Sequence, residues 1–250
     1  MPVPTLRRLL APQRSPGSNR KLGRILAFVA GAINAGGFLA VHRYTSHMTG
    51  IVSAIADDLV LGQMALALGG AASVGAFVAG AATTAGFVHW ARRRQMHSEY
   101  ALSLLLEAVL LLVFGLMGAH LAWRADLIVP ATVLLLCFVM GLQNALITKI
   151  SRAEIRTTHM TGILTDLGIE LGRLFYWNRD PRANAQYVVR ANRDRLRLHA
   201  QVLGCFLSGG IVGAAAFKSF GFVAAVPLAV LLAALAVVPV LDDVRRMLAR

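Results

Sequence analysis

TSHMTGIV at residues 45–52 returns as TTHMTGIL at residues 157–164, each copy following an apolar run that carries an Asn-Ala pair. GAINA (31–35) stands nine residues before the first copy, and GLQNA (141–145) eleven residues before the second. Within the seven positions from Thr45 to Ile51 only Ser46 changes, to Thr158, and the hydroxyl is kept. A match of this length inside one chain is the mark of an internal duplication, and the fold follows from how its two copies lie.

Hydrophobic residues make up 57% of the chain and charged residues 15%, against roughly 45–50% and 25% in soluble domains. They come in blocks such as ILAFVAGAINAGGFLAV (25–41) and FVAAVPLAVLLAALAVVPVL (222–241). Runs of about 20 apolar residues reach across a bilayer, so the sequence describes an all-α integral membrane protein. The basic start, with Arg7, Arg8, Arg14, Arg20, Lys21 and Arg24, reads as the flank of an uncleaved first span. Cys137 and Cys205 lie inside apolar blocks and read as packing residues, without a disulfide.

Eight apolar segments are expected, near 24–41, 48–62, 65–90, 101–123, 127–148, 160–176, 198–217 and 221–241. The second and sixth begin at the repeated motif and carry acids: Asp57 and Asp58, then Asp166 and Glu170. If all eight cross, Lys and Arg divide 17 inside to 8 outside. If those two dip in and return, the division is 22 to 3. Basic residues stay cytoplasmic, so six transmembrane helices plus two broken or re-entrant motif segments are expected. Trp90, Trp123, Trp177, Tyr100 and Tyr176 fall at segment ends, as in an interfacial aromatic belt.

Three spans per half is an odd number, so the second half enters the membrane upside down, an inverted 3+3 repeat of the kind found in transporters. The expected organisation is a basic cytoplasmic tail at 1–23, a first repeat at 24–123, and a second at 127–241. The second contains a basic cytoplasmic linker at 177–197, and a cytoplasmic tail at 242–250 ends the chain. Ala71, Gly75 and Ala79, and again Gly209 and Gly213, have the four-residue spacing that lets membrane helices approach closely.

Irregular backbone at membrane depth needs protein or a water-filled cavity to satisfy it. A segment that starts at Thr-Gly points a partly positive N-terminus inward, a place for an anion or a carbonyl oxygen. The residues expected to bind a small polar solute are therefore Asn34, His47, Thr49, Gly50, Asn144, His159, Thr161 and Gly162. Glu107, inside LLLEAVLLL, and Asp166 are the acids expected to couple a proton or ion; Asp166 is expected to be buried. The two histidines without a third ligand at suitable spacing make no metal site, and no cofactor motif or catalytic nucleophile is present. The expectation is a transporter or channel-like protein and not an enzyme. A membrane scaffold whose motifs only lock helices is the alternative, and an enzyme using the His pair with Glu107 is a weaker one.

GAINAGGFL (31–39) followed by HMTG (47–50), LLLEAVLLL (104–112), and GLQNALITK (141–149) followed by THMTGILTDLG (158–168) resemble the YoaK-like family of bacterial multi-pass membrane proteins. That family is built around a domain of unknown function, and the resemblance covers about residues 20–245. It implies a bacterial inner-membrane location, multi-pass, with both termini cytoplasmic. The family's first motif usually has Gly-x-x-Asp-Ala and then Met-Thr-Gly-Asn; here Asn34 replaces the acid and Ile51 the second Asn. The net charge of +13 sits between and beside the apolar blocks. It therefore points to anionic lipid headgroups at the cytoplasmic face and not to nucleic acid. Association as a homo-oligomer is compatible with the sequence.

Overall fold

The computed structural model describes residues 15–96, 98–119, 125–151, 154–178 and 187–248. Among them every regular element is helical: α1 (Pro16–Val41), α2 (Met48–Val60), α3 (Met64–Arg93), α4 (Ala101–Ala119), α5 (Ala125–Ser151), α6 (Met160–Leu174), α7 (Arg193–Phe220) and α8 (Ala225–Leu248). A 3-10 turn at Gly221–Ala224 joins the last two. Each expected segment coincides with one helix. The two starts that shift most, at α1 and α7, fall at side-chain caps: the Ser15 side chain accepts from the Ser18 N–H, and the Asn192 side chain from the Arg195 N–H. Trp123, residues 1–14 and residues 179–186 of the linker lie outside the described residues.

Among the described residues five stretches are long and apolar enough to cross a membrane: Gly17–Val41, Met64–Arg93, Ala101–Gly118, Leu127–Ser151 and Arg193–Arg246. The last contains α7 and α8; as one rod it would measure about 80 Å, far beyond a hydrocarbon core of about 30 Å. It breaks at Gly221, where φ is +61° and a side chain would be strained. Helices α2 and α6, with 13 and 15 residues, are only about 20 Å long. The outer surface is itself apolar, with Val60, Leu61, Leu68, Leu116, Leu207 and Ile211 all more than half exposed. Such a surface is a liability in water and the natural one in lipid.

Helix order in space can be read from close contacts. Arg24 bonds Gln201, Gly31 lies against Phe206 and Gly210, and Gly36 against Phe217, so α1 and α7 run parallel. Gly80 lies against Phe138 and the Thr84 hydroxyl donates to the Leu142 carbonyl at 3.0 Å, so α3 and α5 run parallel too. Between these pairs, α1 and α5 are antiparallel: Asn19 donates to the Ile150 carbonyl and Gln143 to the Leu26 carbonyl. Helices α4 and α8 are also antiparallel. The Asp243 carboxylate accepts from the Ser98 N–H (2.8 Å) and hydroxyl (2.6 Å) at one end, and Gly115 meets Ala225 at the other.

The two parallel contacts are the same contact made twice. A methyl at Gly31 would strike the Phe206 carbonyl and Gly210 N, and one at Gly141 the Phe77 carbonyl and Ala81 N. A methyl at Gly209 would strike the Phe28 carbonyl, and one at Gly80 the Phe138 carbonyl. Gly31 and Gly141 are the first residues of GAINA and GLQNA, so matching positions in the two halves exchange partners. The expected approach on α7 is present at Gly209 and Gly213. On α3 it is not made where it was expected: nothing lies near Gly75, and Ala71 and Ala79 are exposed. Ser73, Gly80 and Thr84 turn inward instead, and Gly75, five residues from Gly80, is about 140° round the helix from it.

Two smaller expectations are corrected. Tyr100 is buried, with its hydroxyl 3.1 Å from Arg92 Nη2, because the Arg92–Glu99 pair draws it under the end of α3. Trp90, Tyr176 and Trp177 are exposed, as a belt requires. The buried acid of α6 is Glu170, not Asp166, which is half-buried. Glu170 accepts from Arg173 and from the Asn192 N–H, tying the end of α6 to the start of α7. Cys137 and Cys205 are both free.

Candidate functional site

After α1 and after α5 the chain turns back along the helix it has just left. The Ser46 hydroxyl donates to Asn34 Oδ1 at 3.0 Å, and the Thr158 hydroxyl donates to Asn144 Oδ1 at 2.8 Å. Asn144 Nδ2 in turn donates to the Met140 carbonyl, one turn back in its own helix. This explains the single difference between the motif copies: the position needs a donor for the asparagine, and either hydroxyl serves. The two asparagines are latches that hold the motif segments against α1 and α5. Ser46 and Thr158 were not among the expected site residues, although their hydroxyl-preserving exchange was the signal for them.

The preceding threonines, Thr45 and Thr157, are buried, and neither hydroxyl has a partner among the described residues. Opposite effects are therefore expected from adjacent substitutions. Thr158→Val strands the buried Asn144 carbonyl oxygen and lowers stability by about 1–3 kcal/mol, while Thr158→Ser, the twin's residue, stays close to wild type. Thr157→Val removes an unsatisfied hydroxyl and leaves stability unchanged or higher. Thermal unfolding in detergent distinguishes them, and equal loss in both valine variants would contradict the latch.

Both motif helices start at their histidine: His47 precedes α2 and His159 precedes α6, and neither makes a side-chain capping bond. The amides of the first turn thus have no partner within the helix. The two histidines differ in placement. The His47 ring lies across Gly50, so that a methyl there would collide with it, whereas nothing lies within 4 Å of a methyl at Gly162. Burial, then the charge of Arg156, keeps the His159 imidazole below its ordinary titration range. Both causes disfavour the protonated ring, and the neutral form can accept a hydrogen bond at one nitrogen.

The expected site residues form two sets. Helix α2 packs on α3, where Ile51 and Ile55 meet Gly70, and α6 packs on α7 through Asp166–Arg195 and Glu170–Asn192. Asn34, His47, Thr49 and Gly50 belong to the first set; Asn144, His159, Thr161, Gly162 and Asp166 to the second. A cavity of about 680 Å³ opens at the second set. His159, Thr161, Gly162 and Asp166 line it together with Arg195 and His199 of α7, and no first-set residue does. Arg195 pairs with Asp166 at 3.1 Å, and His199 Nδ1 stands 3.8 Å from the same carboxylate, beyond hydrogen-bond reach. Arg195 and His199 were not foreseen, because they sit in a segment that reads as a basic linker running into an apolar helix.

Glu107 is apart from both sets. It is fully buried on α4, and neither carboxylate oxygen has a hydrogen-bond partner among the described residues. Ser103, one turn earlier, is buried with an unpartnered hydroxyl as well. An acid in this position inside an apolar bundle is expensive and marks function more often than packing. Among the described residues no cluster of His, Cys, Asp and Glu could hold a metal ion.

A family model described as "Protein of unknown function (DUF1275)" matches residues 22–238, which includes both motif copies, Asn34 and Asn144, and the contact glycines Gly31, Gly80, Gly141 and Gly209. No curated protein and no solved structure matches the chain.

Proposed function

The chain belongs to the DUF1275 family, to which the YoaK-like resemblance corresponds, and from that footing we propose that it is a transporter of a small polar solute. It crosses the membrane six times as an inverted duplication. In this reading α1, α3 and α4 form one half and α5, α7 and α8 the other, with α2 and α6 as re-entrant helices. Three observations support the topology. The exchanged contacts at Gly31 and Gly141 are what a twofold axis in the membrane plane produces. Both motif helices are too short to span. The antiparallel α4–α8 pair agrees with six crossings, since eight would make these helices parallel. The arginine-rich ends then lie in the cytoplasm of a bacterial inner membrane, with both termini, where they can meet anionic headgroups.

The observation that carries the transport reading is the unequal state of two equal motifs: a cavity reaches His159 and Gly162, while at the first copy the His47 ring covers Gly50. A pair of identical gates in different states is what alternating access between two faces requires, and the inner one is open here. Glu107 serves as the coupling acid. The chain acts without cofactor or catalytic chemistry. The scaffold reading draws on the asparagine latches, but it gives no role to the cavity or to Glu107, a buried acid with both oxygens unpartnered among the described residues.

In vesicles reconstituted with purified protein, His159→Ala and His47→Ala are expected to reduce solute uptake at least tenfold with the unfolding temperature unchanged. Normal uptake by both variants would remove the motifs from the transport path.

A further inference from the structure

We infer that the cavity at the start of α6 binds a small zwitterion, a solute carrying one carboxylate and one ammonium group in the manner of a free amino acid. This rests on the transport reading for its purpose, though not for its chemistry. The anion end has a prepared position. The first backbone bond of α6 is from the Ile163 N–H to the His159 carbonyl. The amides of Met160, Thr161 and Gly162 therefore have no acceptor in the helix, and their aligned dipoles favour a negative group. Gly162 leaves open space at that turn.

An independent observation points to a ligand at the same place. His199 lines the cavity and is 5% exposed, yet its Nδ1 has no hydrogen-bond partner among the described residues. A buried ring nitrogen left in this state costs free energy until something polar reaches it. The charge around the cavity selects the class. Arg20, Arg156 and Arg195 face Glu154, Asp166 and Asp194, three cations against three anions. Among the described residues this lining gives a phosphate or a divalent cation as much repulsion as attraction. A solute with both signs can place its carboxylate on the α6 N-terminus and its ammonium on Asp166 or Glu154. The volume, about 680 Å³, lies within the usual range of small-molecule sites.

The test uses the full-length protein in detergent and measures its unfolding temperature with glycine, alanine, serine and glutamine, each at 10 mM. Acetate, methylammonium and inorganic phosphate at the same concentration are the comparisons. At least one amino acid is expected to raise the transition by about 3 °C or more, and none of the comparisons to do so. Gly162→Val fills the open space and is expected to keep the native transition while losing the shift; Asp166→Asn should weaken it at least tenfold. A shift with acetate or phosphate alone, no shift with any amino acid, or a shift that survives in Gly162→Val each overturns the inference. Vesicle uptake separates this from the transport reading. An amino acid that binds but is not carried overturns transport and leaves the site standing; uptake of some other solute without amino-acid binding does the reverse.

Discussion

Gly141→Ala and Gly31→Ala are each expected to destabilise the protein by about 3 kcal/mol or more, at or beyond the upper end for overpacked interiors. The reason is geometric. The added methyl meets main-chain carbonyl groups, of Phe77 and Phe206, and not the end of a side chain that could swing away. Relief requires the parallel helices α3 and α5, or α1 and α7, to separate along their contact. Gly75→Ala supplies the comparison: open space surrounds it, and an alanine in a helix is about 1 kcal/mol better than glycine. It should match wild type or exceed it. Unfolding in mixed micelles would show the contrast, and similar stabilities for Gly141→Ala and Gly75→Ala would contradict the packing described.

Glu107→Leu is expected to gain stability while losing coupled transport. The carboxyl is fully buried with both oxygens unpartnered among the described residues, so removing it relieves an unmet desolvation cost of about 1–3 kcal/mol. A group kept at such a cost is kept for something other than the fold. Uptake driven by a pH gradient should fall to background in Glu107→Leu and Glu107→Gln, with downhill exchange of solute less affected. Gradient-driven uptake at wild-type rate in Glu107→Gln would take the coupling role away from this residue.

The sequence carried most of the helical layout because hydropathy, charge and the repeat all acted in the same direction. The eight segments, the shortness of the motif helices and the free cysteines were all legible. The asparagine latches were half legible: the residue types stood out, but their partners Ser46 and Thr158 were read only as a tolerated exchange. The facing of α3 was not legible. Its small residues occupy more than one side, and only the partner helix decides that Gly80 and not Gly75 is the contact. Nor was the role of α7 in the cavity. Arg195 and His199 reach the second motif because Glu170 and Asp166 pull α6 against α7, a long-range event that leaves no local pattern. The expected burial of Asp166 failed for the same reason.

Side-specific labelling of two single cysteines, in a chain with Cys137 and Cys205 replaced by serine, tests the inverted topology most directly. Gln63→Cys lies in the turn between α2 and α3, and Glu154→Cys lies between α5 and α6. With re-entrant motif helices, an impermeant maleimide applied to intact cells should modify Gln63→Cys and reach Glu154→Cys only after the membrane is opened. The reverse pattern would mean that α2 and α6 cross completely, and the two halves would then not be inverted copies.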